Sequence, residues 1–151
     1  MRRKRSMLVR DRMSRRVTTV RPEARLSEAA QLMRARKIRH LPVVDHTGRL
    51  VGMVTDRDLR QALFAPAVQA EAEDVLGVLE ALSVGDIMTR SVVSVRATTS
   101  IRDAARLMHE RKLGALLVVE RERLIGLLTE TDVLGAFQEL LGPARVAAIS
   151  L

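Results

Sequence analysis

Cysteine is absent from the 151 residues, which excludes a disulfide frame, a thiolate metal site and a thiol nucleophile. Tryptophan and tyrosine are absent too, leaving Phe64 and Phe137 as the only aromatics. Stacking of bases on aromatic platforms is therefore excluded as a main binding mode. No apolar run approaches the ~20 residues that cross a bilayer; the longest, from Gly114 to Val119, is strand-sized. The basic N-terminus is not followed by an apolar segment of signal-peptide length, so a soluble cytoplasmic protein is expected. The motifs P-loop, GxGxxG, GxSxG and HExxH are all missing. No catalytic residue, metal ligand or prosthetic group is assigned, and the chain is not expected to be an enzyme.

What is present is ordinary globular material, with 47% hydrophobic and 29% charged residues, enough for one compact domain with a sizeable core. The net charge of +8 is uneven. Arg2, Arg3, Lys4, Arg5, Arg10, Arg12, Arg15 and Arg16 face a single acid, Asp11, in the first sixteen residues, and the rest is close to neutral. The basicity describes an arm and the segment after it, not a face of the whole domain.

The chain repeats itself. Residues 9–44 laid over 84–119 give 16 identities in 36 positions, among them Val9, Asp11, Met13, Arg21, Met33, Lys37 and Val43. Past a one-residue gap in the turn after Asp45, the segment from Gly52 to Leu59 lies over that from Gly126 to Val133. Such self-similarity marks a duplicated unit that cannot bury its apolar face alone.

Each copy reads as β-α-β-β-α. Val17–Val20 and Val92–Val95 are short β-branched runs, hence strands. Leu26, Ala29, Ala30, Met33 and Lys37, like Ile101, Ala104, Ala105, Met108 and Lys112, fall on one helical stripe, each Lys stem closing it. Ser100 and Asp103 fit a capping box that the first copy, with Arg25, lacks. Two strands around a tight turn follow, Leu41–Val44 with Leu50–Thr55 and Leu116–Val119 with Leu124–Thr129, then a closing helix after Thr55 or Thr129. The expected class is α/β (α+β), two tandem units packed with pseudo-twofold symmetry and two related clefts between them. The expected boundaries are a basic arm at 1–7, a first repeat at 8–64, a linker containing a short helix at 65–82, a second repeat at 83–140 and a tail at 141–151.

The chemistry sits in Gly-h-h-Thr-x-x-Asp (h apolar), at Gly52, Thr55 and Asp58 and again at Gly126, Thr129 and Asp132. A strand ends and a helix begins there, so free N–H groups and the helix dipole suit a phosphate, while the carboxylate suits a ribose diol. Thr-x-x-Asp is equally a capping box that satisfies the helix with no ligand, and the residues alone leave both readings open.

The whole pattern resembles the CBS domain family in its paired form, the Bateman module. The resemblance rests on Asp11-x-Met13, the Val17–Val20 run, Leu26-x-x-Ala29-x-x-Leu32-Met33, the stretch from Ile38 to Asp45 and that from Gly52 to Leu59. It covers about residues 8–140, and the second copy departs most where Leu117 replaces the usual Pro. The stretch from Thr129 to Phe137 is similar to bacterial proteins of the acetoin-utilisation type, and the further C-terminal domain those often carry is expected to be absent. The resemblance implies a regulatory module that binds an adenine nucleotide or other adenosyl ligand, such as AMP, ADP, ATP or S-adenosylmethionine. By the same resemblance, Thr55, Asp58, Thr129 and Asp132 would contact ribose and phosphate. The adenine would lie against Thr18, Thr19, His40 and Leu41 in one copy and Val93, Ser94, Ala115 and Leu116 in the other. Arg39, His40 and Arg57 face Gly114, Ala115 and Thr131 in the repeat alignment, so tighter binding of a charged nucleotide is expected at the first copy. His40, beside Pro42, also fits plain packing. A homodimer and an unidentified regulated protein are the expected partners, with nucleic acid or an anionic surface at the basic arm as the alternative.

Overall fold

A computed structural model of the chain describes residues 6–65 and 75–142. Helix α1 (Leu26–Arg36) buries Leu26, Ala29 and Met33, and its repeat mate over Ile101–Arg111 buries Ile101, Ala104 and Met108. The 3.6-residue stripe was legible for this reason. Its last member was not. Lys37 is exposed and stands outside the helix at φ 52°, and Lys112 stands at φ 53°. Both are left-handed C-caps, a conformation more often given to glycine, and neither stem closes the stripe. At the other end, Asp103 N–H donates to Ser100 Oγ at 3.0 Å, whereas Arg25 supplies no side-chain cap to α1.

Strands β1 (His40–Val44) and β2 (Leu50–Thr55) pair antiparallel, Leu41 opposite Val54 and Val43 opposite Gly52. Thr55 leads into α2 (Asp56–Phe64). Of the expected strand Val17–Val20, only Val20 joins a ladder, as a lone parallel bridge to Val43. β-Branched composition proposed a strand, but pairing alone decides its length. The intervening chain holds α3 (Val75–Ala81), which packs on α1 and buries Val78, and α4 (Val84–Ile87). The short helix expected in the linker is therefore α3, while Pro66 and its acidic neighbours lie outside the described residues. In the second copy β3 is only Ser94–Val95, parallel to β4 (Ala115–Glu120), which pairs antiparallel with β5 (Arg123–Thr129). The helix over Ile101–Arg111 is α5, and α6 (Glu130–Leu141) closes the unit.

The two hairpin turns differ. Asp45 Oδ1 accepts from Thr47 N–H at 2.8 Å, Thr47 Oγ1 at 2.6 Å and Arg49 N–H at 3.1 Å, while Gly48 takes φ 84°. The Thr47 hydroxyl above all, with those backbone N–H groups, holds the Asp45 carboxyl below its usual range. The β4–β5 turn is Arg121-Glu122 at φ 49° and 65°. A two-residue turn of this hand normally takes Asn-Gly.

The repeats cross over in space. Val84 and Met88, which open the second copy, sit in the core of the first with Leu26, Leu41 and Val54. Val9 and Met13, which open the first copy, sit in the core of the second with Ile101, Leu116 and Leu128. Backbone pairing follows the exchange. Met53 and Thr89 trade N–H···O bonds of 2.9 Å each way, and Ser14 and Leu127 trade bonds of 2.9 and 3.0 Å. Val84 N–H reaches Ala24 O, and Val9 N–H reaches Thr99 O, each at 2.8 Å. The outer edges of β2 and β5 are thus each met by the other copy's leading segment, which leaves those two edges less open to pairing with another chain. Burying one such Val or Met contributes about 1.5–3 kcal/mol.

Candidate functional site

At the first strand-to-helix junction, Asp58 N–H donates to Thr55 Oγ1 at 3.2 Å. Thr55 N–H and its hydroxyl in turn donate to Asp58 Oδ2 at 2.8 and 2.9 Å. At the second, Thr129 N–H and hydroxyl donate to Asp132 Oδ2 at 2.8 and 3.0 Å. Both are closed capping boxes. The carboxylate oxygen Oδ1 of each Asp makes no hydrogen bond among the described residues, so a further donor can be taken without breaking the cap. The same closure occurs between Ser83 and Asp86, with Oδ2 accepting from Ser83 N–H at 2.8 Å, and there the Asp86 carboxyl is held below its usual range by Ser83 N–H and hydroxyl. Thr-x-x-Asp geometry alone is therefore no mark of a ligand in this chain.

The glycine of the motif has a structural cause. A Cβ on Gly52 would lie 2.8 Å from Met88 Sδ and 2.9 Å from Thr89 O; on Gly126 it would lie 2.6 Å from Met13 Sδ and 3.1 Å from Ser14 O. The crossed segments approach the strands so closely that a side chain at either position must displace a neighbour.

Two hollows lie between the copies. One, of about 480 Å³, is lined by Arg39 and His40 from the first copy and Gly114, Thr129, Glu130 and Thr131 from the second. His40 Nε2 lies 3.2 Å from where a Gly114 Cβ would stand, so the missing side chain lets the imidazole cross the interface. Burial pushes the His40 pKa below its ordinary 6.5, and Arg39 acts the same way; Asp56, Glu130 and Asp58 oppose them. Around it, Asp56 N–H bonds Arg39 O and Glu130 N–H bonds Gly114 O, each at 3.1 Å, so one N–H of each helix start is already engaged. The other hollow, of about 650 Å³, opens at the hairpin tips between β2 of one copy and β3 of the other, with Leu50, Val51, Val92 and Ser94 in its wall.

The expected site residues divide among these places. Arg39, His40 and Thr129 line the smaller hollow and Ser94 the larger. Leu41 and Leu116 are fully buried in the two cores and Ala115 is buried, so these can meet a ligand by backbone alone, while Val93 is half-buried against the second core. Thr18 and Thr19 are half-buried beside Val20, Arg57 is exposed on α2, and Asp58 and Asp132 are half-buried in their caps. Arg49, Arg96 and Arg121 also line the larger hollow, and no motif in the sequence marks them as site residues. The recurrence of Arg21 as Arg96 was the signal available. Among the described residues no helix is long and apolar enough to cross a membrane, and no group of three His, Cys, Asp or Glu side chains could hold a metal ion.

Known proteins share this arrangement. A CBS domain-containing protein of Dictyostelium discoideum is 36% identical over 138 residues, 91% of this chain and 95% of its own length. A solved Vibrio cholerae protein, provisionally assigned to acetoin utilisation, superposes with TM-score 0.75 at 31% identity over 90% of this chain and 93% of its own. CBSX2, solved in complex with AMP, gives TM-score 0.76 at 35% identity over 90% and 99%. The CBS domain pair of protein MJ0100, solved with 5′-methylthioadenosine and S-adenosylmethionine, gives 0.74 at 28% identity over 87% and 96%. Some relatives are longer: the chain spans 57% of chloroplastic CBSX2 of Arabidopsis thaliana and 22% of a Methanohalobium evestigatum homoserine O-acetyltransferase. The family model for the CBS domain matches twice, at residues 9–65 and 84–139. With its two repeats, its mixed helix and strand content and its crossed leading segments, this chain belongs to the CBS domain family as a tandem pair.

Proposed function

We propose that the chain is a non-catalytic ligand sensor that takes an adenosyl compound between its two repeats. One observation carries the reading: both Thr-x-x-Asp junctions are half-buried and keep a carboxylate oxygen free of hydrogen bonds among the described residues, and Thr129 of the second lines an inter-repeat hollow with His40. That oxygen has the chemistry to accept a ribose hydroxyl, and the adenosyl complexes of related pairs support the ligand class. A ligand bridging both copies would favour one relative packing over another, which a partner could read. Within this reading the module works in the cytoplasm and uses no prosthetic group. A second copy of the chain is the partner we assign to the exposed apolar side chains of the repeat-related helices α2 and α6. Phe64 is 71% exposed, and Leu134 and Phe137 are 65% and 57% exposed. Sedimentation of wild type against Phe137→Glu tests that assignment, and a monomeric wild type removes it.

Isothermal titration with AMP, ATP, S-adenosylmethionine and adenosine tests the ligand reading. At least one should bind, and Asp58→Asn or Asp132→Asn should weaken it about tenfold or more, the loss of a charge-assisted hydrogen bond. Circular dichroism checks that each variant stays folded. No heat from any of the four, or affinity untouched by both substitutions, overturns the reading.

A further inference from the structure

The larger hollow carries charge that the adenosyl reading does not use. Three arginines from three separate segments stand in its wall: Arg49 at the first hairpin tip, Arg96 just past β3, and Arg121 in the left-handed turn of the second hairpin. Two carboxylates stand with them. Asp45 already accepts three hydrogen bonds from its own turn. Glu122 pairs with Arg49 at 2.5 Å, and its carbonyl accepts Leu50 N–H at 3.3 Å, joining the tips across the repeats. The guanidinium groups of Arg96 and Arg121 have no bonded partner among the described residues. The repeat makes the contrast plain, because Arg21, the mate of Arg96, donates its guanidinium to the carbonyl of Asp45.

We propose that this hollow binds the phosphate-bearing end of an anionic ligand through Arg96 and Arg121, with Arg49 released from Glu122 as a third donor. Guanidinium forks from different directions suit a multivalent phosphate. The wall between them is apolar at Leu50, Val51 and Val92 and hydroxylic at Ser94, so it also accepts a compact organic body. The site goes beyond the adenosyl reading, because it lies at the opposite end of β2 and β5 from Thr55 and Thr129. The phosphate is assigned to the hairpin tips, away from the Thr129-Asp132 junction. The Arg49–Glu122 pair becomes a clasp that a bound anion competes for, since an exposed ion pair of this kind is weak.

The two ideas separate in one experiment, isothermal titration of the full chain with inorganic tripolyphosphate, adenosine and ATP at low and high salt. Tripolyphosphate should bind, weaken as salt rises, and lose about fivefold or more in affinity in Arg96→Gln and in Arg121→Gln. Arg106→Gln, at an exposed position of α5, is the control for diffuse attraction to a basic chain and should change nothing. ATP should exceed adenosine in wild type, and that advantage should shrink in both arginine variants. Adenosine binding with no tripolyphosphate binding overturns this proposal and leaves the nucleoside reading standing. Tripolyphosphate binding without adenosine keeps the anion site and sinks the other. Equal losses in the control and the two wall variants also overturn it.

Discussion

Placing a methyl group on Gly52 tests whether the leading segments cross between repeats in solution. The added Cβ would lie 2.8 Å from Met88 Sδ and 2.9 Å from Thr89 O. The sulfur sits on a flexible side chain and can swing aside. The carbonyl cannot, because Thr89 and Met53 are tied by N–H···O bonds of 2.9 Å in both directions. Gly52→Ala must therefore push the strand pair apart or strain it, at a cost of about 1–3 kcal/mol for overpacking. For a chain of this length that is a fall in Tm of about 2–12 °C. Gly126→Ala should cost less, since its closest neighbour is the flexible Met13 Sδ and the Ser14 carbonyl is 3.1 Å away. Gly135→Ala, in α6 with nothing within 4 Å, should raise stability by about 0.5–1 kcal/mol. Calorimetric melts of the three variants without ligand give the order, and hydrogen exchange at the Met53 and Thr89 amides localises it. If Gly52→Ala melts with wild type while Gly135→Ala rises, residues 84–89 do not lie on β2 and the crossed arrangement is wrong.

Three more outcomes follow from local geometry. Lys37→Gly removes a left-handed residue with a Cβ at the end of α1 and should add about 0.5–1 kcal/mol in urea melts; a loss would mean the Lys stem packs after all. Arg25→Ser should give α1 the cap that Ser100 gives α5, about 1 kcal/mol of added stability, and no gain would show the N-terminus of α1 already satisfied. His40 is held below its ordinary 6.5 chiefly by burial, so the unfolded chain takes up that proton first as pH falls. The stability owed to the neutral ring is complete above about pH 6.5 and is lost as pH drops toward the lower folded-state value. His40→Gln should flatten that part of the stability curve, and equal slopes in the two proteins would exclude burial of His40 as its source.

The elements themselves were largely legible in the chain. Leu26, Ala29 and Met33 announced α1 because burial follows the 3.6-residue period, and the Gly48 turn announced a hairpin because Asp45 and Gly have local reasons to sit there. Arg121-Glu122 announced nothing, since neither residue favours positive φ and contacts from the other repeat hold the turn. Thr55 and Asp58 were visible as a pair, yet spacing could not separate cap from ligand group, and the structure finds them capped with one oxygen left over. Least legible was which core each leading segment enters. Val9 aligns with Val84 whether the segments stay at home or trade places, because exchange between equivalent positions leaves every local pattern unchanged.

That exchange makes the two halves mutually dependent. A chain severed between Ala65 and Val75 yields an N-terminal piece that exposes the empty seat of Val84 and Met88 while displaying Val9 and Met13 with nowhere to go, and a C-terminal piece in the reverse predicament. Each fragment should stay unstructured alone and fold on mixing, so that fragment complementation is built into the topology. Linking two cellular events through the severed pieces would then require no engineered interface, only the segments the repeats already lend each other.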